Sequence, residues 1–189
     1  MVLTQEVESL RSEVERANSH LAQVERLADE DALVPIRNRR AFMREMSWVI
    51  SYNERYNAVS SLIYFDLNNF KEINDKYGHA MGDVTLLHAA NSLINNLRAS
   101  DLLGRLGGDE FGVILKHTNA EQALLKGRDL AWAIQATPVE YEDSKLTITA
   151  SYGVTMFKLG ESAQDTINAA DRAMFERKKA LKFMKTGQS

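Results

Sequence analysis

Two short apolar stretches, residues 101–106 and 111–117, are separated by only four residues, Gly107-Gly108-Asp109-Glu110. Apolar runs joined by a short glycine-containing turn are typical of an antiparallel β-hairpin. A single Asn-Gly pair would be enough to make such a turn. The two adjacent carboxylates repel each other, and glycine, which has no Cβ atom, allows close approach to the backbone. The hairpin therefore predicts a β-sheet whose edge carries negative charge at a place where another molecule approaches.

The remaining apolar patterns predict an α+β fold around this hairpin. Helices are predicted at 39–56, 71–77, 82–97, 120–136 and 163–183, and further strands at 61–65 and 145–155. Asn38 is a suitable N-cap for the first of these helices. The order β-α-α-β-β-α-β predicts a largely antiparallel central sheet flanked by helices, which cover one of its faces. Trp48 and Trp132 lie on amphipathic helices and are expected in the core, whereas His117 is expected at the surface.

Residues 1–30 have a different pattern, because apolar residues alternate there at spacings of four and three. This heptad seam consists of Leu3, Val7, Leu10, Val14, Ala17, Leu21, Val24 and Ala28. It predicts a parallel two-stranded coiled coil that joins two copies of the chain. A single amphipathic helix lying on its own domain is the alternative. Pro35 breaks the helix, so a globular domain is expected over residues 31–185.

Composition argues against several classes of function. The 189 residues include 23 Lys and Arg against 26 Asp and Glu, so no overall positive field favours nucleic acid. Cysteine is absent from the sequence, which fits a reducing compartment. No apolar stretch approaches the ~20 residues that span a bilayer, and the first residues lack the features of a signal peptide. We therefore expect a cytoplasmic protein with no nucleic-acid partner and no membrane segment.

Three carboxylates are expected at one edge of the sheet. Asp66 ends the first strand, and Asp109 and Glu110 lie in the turn between the next two. If these strands are neighbours, the three charges converge, and a divalent cation would offset their repulsion. Hard oxygen ligands with room for water and phosphate are those that Mg²⁺ prefers.

A phosphate-binding loop is expected beside this edge. Residues 67–70 form a short loop that leads into a helix, and the first N–H groups of a helix attract anions. Lys71 adds a positive charge there. A metal site, a phosphate loop and a lysine together suggest a nucleoside triphosphate. Polar residues of the following helices are candidates to read its base: Asn74, His79 and Asp83.

Five blocks of sequence occur in a recognisable order. They are NRRAF (38–42), FDLNNFKEINDKYGHAMGD (65–83), RASDLLGRLGGDEF (98–111), ITASYGV (148–154) and AADRAMFERKK (169–179). In these blocks the chain resembles the GGDEF family of diguanylate cyclases, over residues 31 to about 182. The resemblance implies a ferredoxin-like fold similar to the palm of polymerases. It also implies a nucleotidyltransferase that joins two GTP molecules into cyclic di-GMP with loss of two pyrophosphates.

The resemblance assigns metal-binding residues position by position. Asp66 and Asp109 match ligands of Mg²⁺ or Mn²⁺, with two ions per half-site, and the Leu67 carbonyl matches a backbone ligand. Glu110 matches a residue that supports the metal site. Either Asp109 or Glu110 would accept the proton of the attacking 3′-hydroxyl. Each domain would hold one GTP, so two domains must face each other in a homodimer.

Substrate-binding residues follow from the same matches. Asn74 and Asp83 match the residues that read guanine, and His79 borders the same pocket. The other predicted contacts, to the phosphates and at the glycine turn, are Lys71, Lys178, Lys182, Asn69, Phe70, Gly107 and Gly108.

A product-inhibition site is also implied by the resemblance. Arg98 and Asp101 precede Gly107 by the family's spacing for this site, at which bound cyclic di-GMP would hold the domains apart. Arg128 on the next helix would add a third contact. The alternative is an ordinary i,i+3 salt bridge at the end of a helix.

Three departures from the family pattern stand out. Residues 33–36 read Leu-Val-Pro-Ile where the family usually has Leu-Thr-Gly-Leu. Asn68 replaces a common aspartate outside the inferred ligand set, so little effect is expected. Lys182 keeps the charge of the usual arginine but loses its bidentate geometry. None of these departures removes a predicted metal ligand.

The leading interpretation is an active, product-inhibited, dimeric diguanylate cyclase. The alternative is a catalytically weak GGDEF domain that acts as a cyclic di-GMP receptor, through Arg98 and Asp101, or as a dimerisation module. A receptor would not need Asp66, Asp109 and Glu110, and their presence favours the enzyme.

Overall fold

The computed structural model describes residues 7–8, 10–16, 18, 20, 28–142 and 144–186, with side chains described up to residue 179. Within its globular part, the described residues form five helices: α1 (Arg39–Tyr56), α2 (Phe70–Tyr77), α3 (His79–Ile94), α4 (Ala120–Ala136) and α5 (Ala163–Thr186). They also form six strands: β1 (Ser60–Leu67), β2 (Leu102–Arg105), β3 (Glu110–Lys116), β4 (Val139–Tyr141), β5 (Ser144–Leu146) and β6 (Ala150–Met156). No helix in these residues is long and apolar enough to cross a bilayer.

Four strands form an antiparallel sheet in the order β2–β3–β1–β6, which confirms the predicted central sheet. The sequence did not predict β4, which pairs with β5 in a separate two-stranded sheet. The single strand predicted at 145–155 is in fact two strands, β5 and β6, with residues 147–149 between them. The apolar alternation continues across this break, so the pattern alone does not reveal it.

Helices cover both faces of the main sheet, which corrects the prediction that one face is covered. Ile63 and Phe65 of β1 pack into a cluster with α3 and α4, whereas Leu62 and Tyr64 pack into a second cluster with α1 and α5. All four side chains are at most 4% exposed. A strand that is apolar at both odd and even positions is buried on both faces. The run Ser-Leu-Ile-Tyr-Phe already has this property.

The predicted coiled-coil segment, residues 1–30, is described only in part. Its described residues up to position 20 are helical, as are residues 28 and 29. Val7, Leu10 and Val14 of the heptad seam are exposed in this single chain, by 46%, 56% and 58%. Other seam positions lie outside the described residues: Leu3, Ala17, Leu21 and Val24. The coiled coil stays a prediction.

Polar contacts hold the junction between this segment and α1. Asn38 caps α1 as predicted, because its side chain accepts a hydrogen bond from the Ala41 N–H at 3.0 Å. The Asn38 amide also donates to the Ala28 carbonyl at 2.8 Å. Asp29 forms an ion pair with Arg44 at 2.6 Å. The first helical turn of the domain is therefore tied directly to residues 28 and 29.

Trp48 and Trp132 lie outside the core, contrary to the prediction. They are 56% and 69% exposed. Val49, next to Trp48, belongs to the buried stripe of α1, and Leu130 and Ile134 belong to that of α4. An amphipathic pattern shows that a helix has a buried stripe but does not define the borders of that stripe. Each tryptophan lies just beyond such a border, on the exposed face of its helix.

A close backbone contact between β6 and α5 gives a test of this packing. A Cβ atom on Gly153 would overlap the Ala170 carbonyl oxygen and the Met174 backbone. We expect Gly153→Ala to lower the free energy of unfolding by about 2–3 kcal/mol, because backbone atoms cannot move aside as a side chain can. Urea denaturation measures this change.

Gly108→Ala is the matched control. A Cβ atom there meets nothing within 4 Å, so its free energy of unfolding should stay within about 0.5 kcal/mol of the parent. Equal stability of the two variants would contradict the packing of α5 on β6.

Candidate functional site

The pairing of β1 with β3 brings the predicted carboxylates to one edge of the sheet. Asp66 lies directly opposite Glu110 in the antiparallel register. Just beyond this pair, the Leu67 N–H donates a hydrogen bond to the Asp109 carbonyl at 3.1 Å. We call Asp66, Asp109 and Glu110 the carboxylate edge.

The electrostatic repulsion expected at this edge is present. Burial raises the pKa of the Asp109 carboxyl, and the negative charges of Asp66 and Glu110 raise it further. A hydrogen bond with its own backbone and the positive charge of Lys178 lower the pKa of Asp109 in part. Overall the pKa of Asp109 is raised. A positive charge placed beside Asp109 would therefore reduce the electrostatic repulsion among these carboxylates.

Glu110 is held from two sides. A Cβ atom on Gly107 would overlap the Glu110 carboxylate, so this side chain occupies the space that a larger residue at 107 would fill. On the other side lies Tyr64, whose pKa is raised by burial and by its hydrogen bond with Glu110. Gly108 is exposed, and a Cβ there would meet open space. The two glycines therefore differ, because Gly107 makes room for Glu110 and Gly108 leaves the turn open.

Lys178 reaches the carboxylate edge from α5. Its ammonium forms an ion pair with Asp66, and the two side chains are 32% and 25% exposed. A predicted phosphate contact and a predicted metal ligand are thus direct neighbours. Among the described residues, no three His, Cys, Asp or Glu side chains are grouped so as to hold a metal ion by themselves.

Arg105, which the sequence analysis missed, holds the glycine turn in place. Its guanidinium donates to the Gly107 carbonyl at 3.1 Å and to the Gly108 carbonyl at 2.7 Å. It also forms a largely buried ion pair with Asp31 at 3.0 Å. The sequence does show an arginine two residues before the glycine pair, and this could have suggested a role at the turn. The ion pair with Asp31 could not be found in the same way, because the two residues are 74 positions apart in the sequence.

Asn68 also has a larger role than predicted. Its backbone N–H donates to the Thr149 carbonyl at 2.8 Å, and its side-chain amide donates to the Thr149 hydroxyl at 3.0 Å. Its amide oxygen accepts a hydrogen bond from the Ser151 hydroxyl at 2.8 Å. Asn68 therefore fastens the predicted phosphate loop to β6 and to the segment before it. An amide suits this position because it both donates and accepts.

The predicted base-reading residues lie at the corner between α2 and α3. The Asn74 side chain lies against Gly82, where a Cβ atom would overlap its amide oxygen. Asp83 is the next residue and is exposed, and His79 begins α3 and is also exposed. Gly78 makes the corner with a φ of 84°. The structure therefore places Asn74 against the residue that precedes Asp83.

The predicted phosphate contacts are only partly placed by the structure. Lys71 is exposed in the first turn of α2, and Phe70 packs partly buried against the core. Asn69 precedes this helix in the left-handed region, with a φ of 61°. The side chain of Lys182 lies outside the described residues.

The predicted inhibitory residues lie at the opposite end of β3. A cavity of about 300 Å³ has Arg98 and Asp101 in its wall, together with His117 and residues of α4. Asp101 accepts a hydrogen bond from the Arg98 backbone N–H at 3.0 Å, and the Arg98 side chain is exposed. Arg128 pairs with Asp129, which also lines the cavity.

Comparison with known sequences agrees with these features. The family model described as diguanylate cyclase, GGDEF domain, matches residues 28–182. The chain is 32% identical over 178 residues to diguanylate cyclase DgcP of Pseudomonas aeruginosa, covering 94% of this chain and 26% of that protein. It is 31% identical over 137 residues to diguanylate cyclase A of Treponema denticola, covering 72% of this chain and 37% of that protein. The chain therefore spans a minor part of the relatives it matches.

Among solved structures, the fold is similar to the coiled coil and GGDEF domain of DgcB from Caulobacter crescentus, a structure in complex with c-di-GMP. The TM-score is 0.87 at 26% sequence identity, and the match covers 95% of this chain and 96% of that one.

The raised pKa of Asp109 predicts how stability depends on pH. The folded chain binds the proton of the Asp109 carboxyl more tightly than the unfolded chain does. The stabilisation of the fold by this protonation is therefore fully present at low pH and is lost as pH rises through the pKa of Asp109 in the folded chain. Asp109→Asn cannot ionise and should be more stable than the parent at neutral pH. The difference should close in acid. Urea denaturation midpoints across this pH range provide the measurement.

Asp31→Asn is the control of opposite sign. Burial by itself would raise the pKa of Asp31, but hydrogen bonds from the Leu33 and Val34 N–H groups and from Arg105 outweigh it and lower the pKa. The charge of Asp31 therefore stabilises the fold at neutral pH, and this contribution is lost as pH falls. Asp31→Asn should destabilise by about 1–3 kcal/mol at neutral pH, because it leaves Arg105 poorly paired. Shifts of the same sign in both variants would contradict this electrostatic account.

Proposed function

The chain belongs to the GGDEF domain family of diguanylate cyclases, and from this premise we propose that it condenses two GTP molecules into cyclic di-GMP and two pyrophosphates. The observation that carries the proposal is the strand register, which places Asp66 directly opposite Glu110 and beside the backbone of Asp109, so that like charges repel at one edge of the sheet. At an edge with a purely structural role, this repulsion would only destabilise the fold. At a site for cations and triphosphate, the bound positive charge would offset it.

The donor set at the carboxylate edge fits a hard divalent cation. Asp66 and Asp109 offer carboxylate oxygens, the Leu67 backbone adds a carbonyl, and Glu110 supports them from its place beside Gly107. Bound Mg²⁺ or Mn²⁺, two ions per half-site, would supply activation of the 3′-hydroxyl and charge stabilisation on the triphosphate. Water and substrate phosphates would complete the coordination, since protein side chains alone do not form a closed cage in the described residues.

The residues of the chain then have separate tasks. Lys178, now paired with Asp66, would turn to the triphosphate when cations neutralise that carboxylate, and Lys71 and Lys182 would add positive charge. Asp109 or Glu110 would accept the proton of the attacking 3′-hydroxyl. Gly108 would let the substrate lie against the open turn, with Asn69 and Phe70 in the adjacent loop.

Guanine recognition is assigned to the corner between α2 and α3. Asn74, which packs against Gly82, would bond one edge of the purine, and Asp83 would accept hydrogen bonds from its N–H groups. His79 would border the same pocket.

The proposed reaction needs two copies of the domain, because each holds one GTP. A parallel coiled coil of residues 1–30 would bring the half-sites together. The exposed seam residues Val7, Leu10 and Val14 support this proposal. So does the similarity, over 95% of the chain, to a structure that contains both a coiled coil and a GGDEF domain.

Product inhibition is assigned to the cavity that contains Arg98 and Asp101. Its volume of about 300 Å³ and the exposed Arg98 side chain suit a phosphate-bearing ligand. Arg128 would contribute from α4. The backbone hydrogen bond from Arg98 to Asp101 fixes the loop that presents both side chains.

Incubation of the purified chain with GTP and Mg²⁺, followed by chromatography of the products, tests the catalytic proposal. The parent should form cyclic di-GMP, and Asp109→Asn should lose at least about 100-fold in rate. Asp165→Asn, at the start of α5, should retain the parent rate. Binding of cyclic di-GMP without turnover would indicate a receptor, and absence of both would leave only a dimerisation role.

Titration of the reaction with added cyclic di-GMP tests the inhibitory site. Arg98→Ala should keep the basal rate but need about tenfold or more product for half inhibition, because it removes charged hydrogen bonds to phosphate. An inhibition curve equal to that of the parent would show that product does not act through Arg98.

A further inference from the structure

A second cavity lies between α1 and the strand ends farthest from the carboxylate edge. Its volume is about 200 Å³, and it is lined by Trp48, Val49, Tyr52, Asn53, Ser60, Lys116 and His117. We call it the aromatic cavity. A cavity of about 150 Å³ in a protein core can hold benzene, so this one is large enough for a single aromatic ring.

A buried amide in its wall has an unused donor. Asn53 is 7% exposed, and its oxygen accepts a hydrogen bond from the Ser60 hydroxyl at 3.2 Å. Its amide nitrogen has no hydrogen-bond partner among the described residues. Turning the amide over would only exchange which of its two polar atoms is unpaired. A buried polar atom without a partner is costly. The nitrogen has less than 1 Å² of accessible surface, and a small rotation of the side chain toward the cavity would bring it to a ligand oxygen and remove that cost.

The other walls are aromatic and positively charged. The rings of Trp48 and Tyr52 stack with centroids 5.4 Å apart, and the His117 ring meets Tyr52 edge-on at 6.4 Å. The Lys116 ammonium lies 5.5 Å from the centre of the Trp48 ring. Lys116 makes no ion pair within the described part of the chain, and no Asp or Glu is among the described lining residues. The walls thus suit a flat ring that carries negative charge.

We propose that the aromatic cavity binds a small aromatic carboxylate, a function separate from nucleotide turnover. The ligand ring packs against Trp48 and Tyr52, and one ligand oxygen accepts a hydrogen bond from the Asn53 amide nitrogen. The ligand carboxylate pairs with Lys116. The buried amide nitrogen of Asn53 is unpaired, and the positive charge of Lys116 has no acidic partner among the described residues.

Binding here is independent of the proposed reaction. Ser60 begins β1 and Lys116 ends β3, whereas Asp66 and Glu110 lie at the other ends of these strands. A strand advances about 3.3 Å per residue, so the two sites are well separated. Failure of the binding proposal and failure of the catalytic proposal are therefore distinguishable.

Titration calorimetry of the full chain with 4-hydroxyphenylacetate tests the proposal. This probe has one ring, a carboxylate and a second oxygen, and we expect a dissociation constant on the order of 0.1 mM. Lys116→Met and Asn53→Leu, which keep side-chain size, should each weaken binding about tenfold or more. Lys158→Met removes a surface lysine that pairs with Glu161 and should leave the affinity unchanged.

Two further probes separate the contributions of ring and charge. 4-Hydroxycyclohexylacetate keeps the carboxylate and the second oxygen but lacks the aromatic ring. 4-Hydroxyphenethyl alcohol keeps the ring but lacks the charge, so both should bind at least about tenfold more weakly. Equal affinity for all three probes, or no binding of 4-hydroxyphenylacetate at 5 mM, would overturn the proposal. So would an unchanged affinity in Lys116→Met, and this variant decides the matter if Asn53→Leu does not fold.

Discussion

The antiparallel pairing of β1 with β3 is the constraint on which the rest of the molecule depends. It runs in register from Ser60 opposite Lys116 to Asp66 opposite Glu110. Because side chains alternate along a strand, a slip by one residue would move Leu62 and Ile63 to the wrong clusters. The two cores therefore set the register. The proximity of the carboxylates follows from it, although their repulsion works against folding.

This arrangement is supported from outside the sheet. Arg105 binds the carbonyls of Gly107 and Gly108 and pairs with Asp31. Breaking a buried ion pair leaves an uncompensated charge and is strongly unfavourable. Through Arg105 and Asp31, direct contacts thus connect the turn that carries Asp109 to the junction that leads to residues 1–30. On the other side, Asn68 fastens the loop after Asp66 to Thr149 and Ser151.

The two ends of the sheet differ in chemistry. One end carries the carboxylate edge, with Lys178 paired to Asp66. At the other end, basic and acidic side chains line one cavity, and aromatic and basic side chains line the second. His117 lines both of these cavities, at a backbone φ of 52°.

The local features of this protein were determined by the sequence alone. The hairpin around residues 107–110, the cap at Asn38, the helix at 120–136 and the strand that ends near Asp66 were all predicted, because turn chemistry and apolar period act over a few residues. The family was evident for the same reason, since its motifs are short and contiguous.

Tertiary structure decided which distant groups meet. The pairs Lys178–Asp66 and Arg105–Asp31 join residues 112 and 74 positions apart. The exposure of Trp48 and the break between β5 and β6 depend in the same way on neighbours remote in sequence. Such contacts are set by strand register and by the rotation of each helix about its axis. Neither quantity is encoded in a local pattern, so the partners of these side chains became visible only in the folded chain.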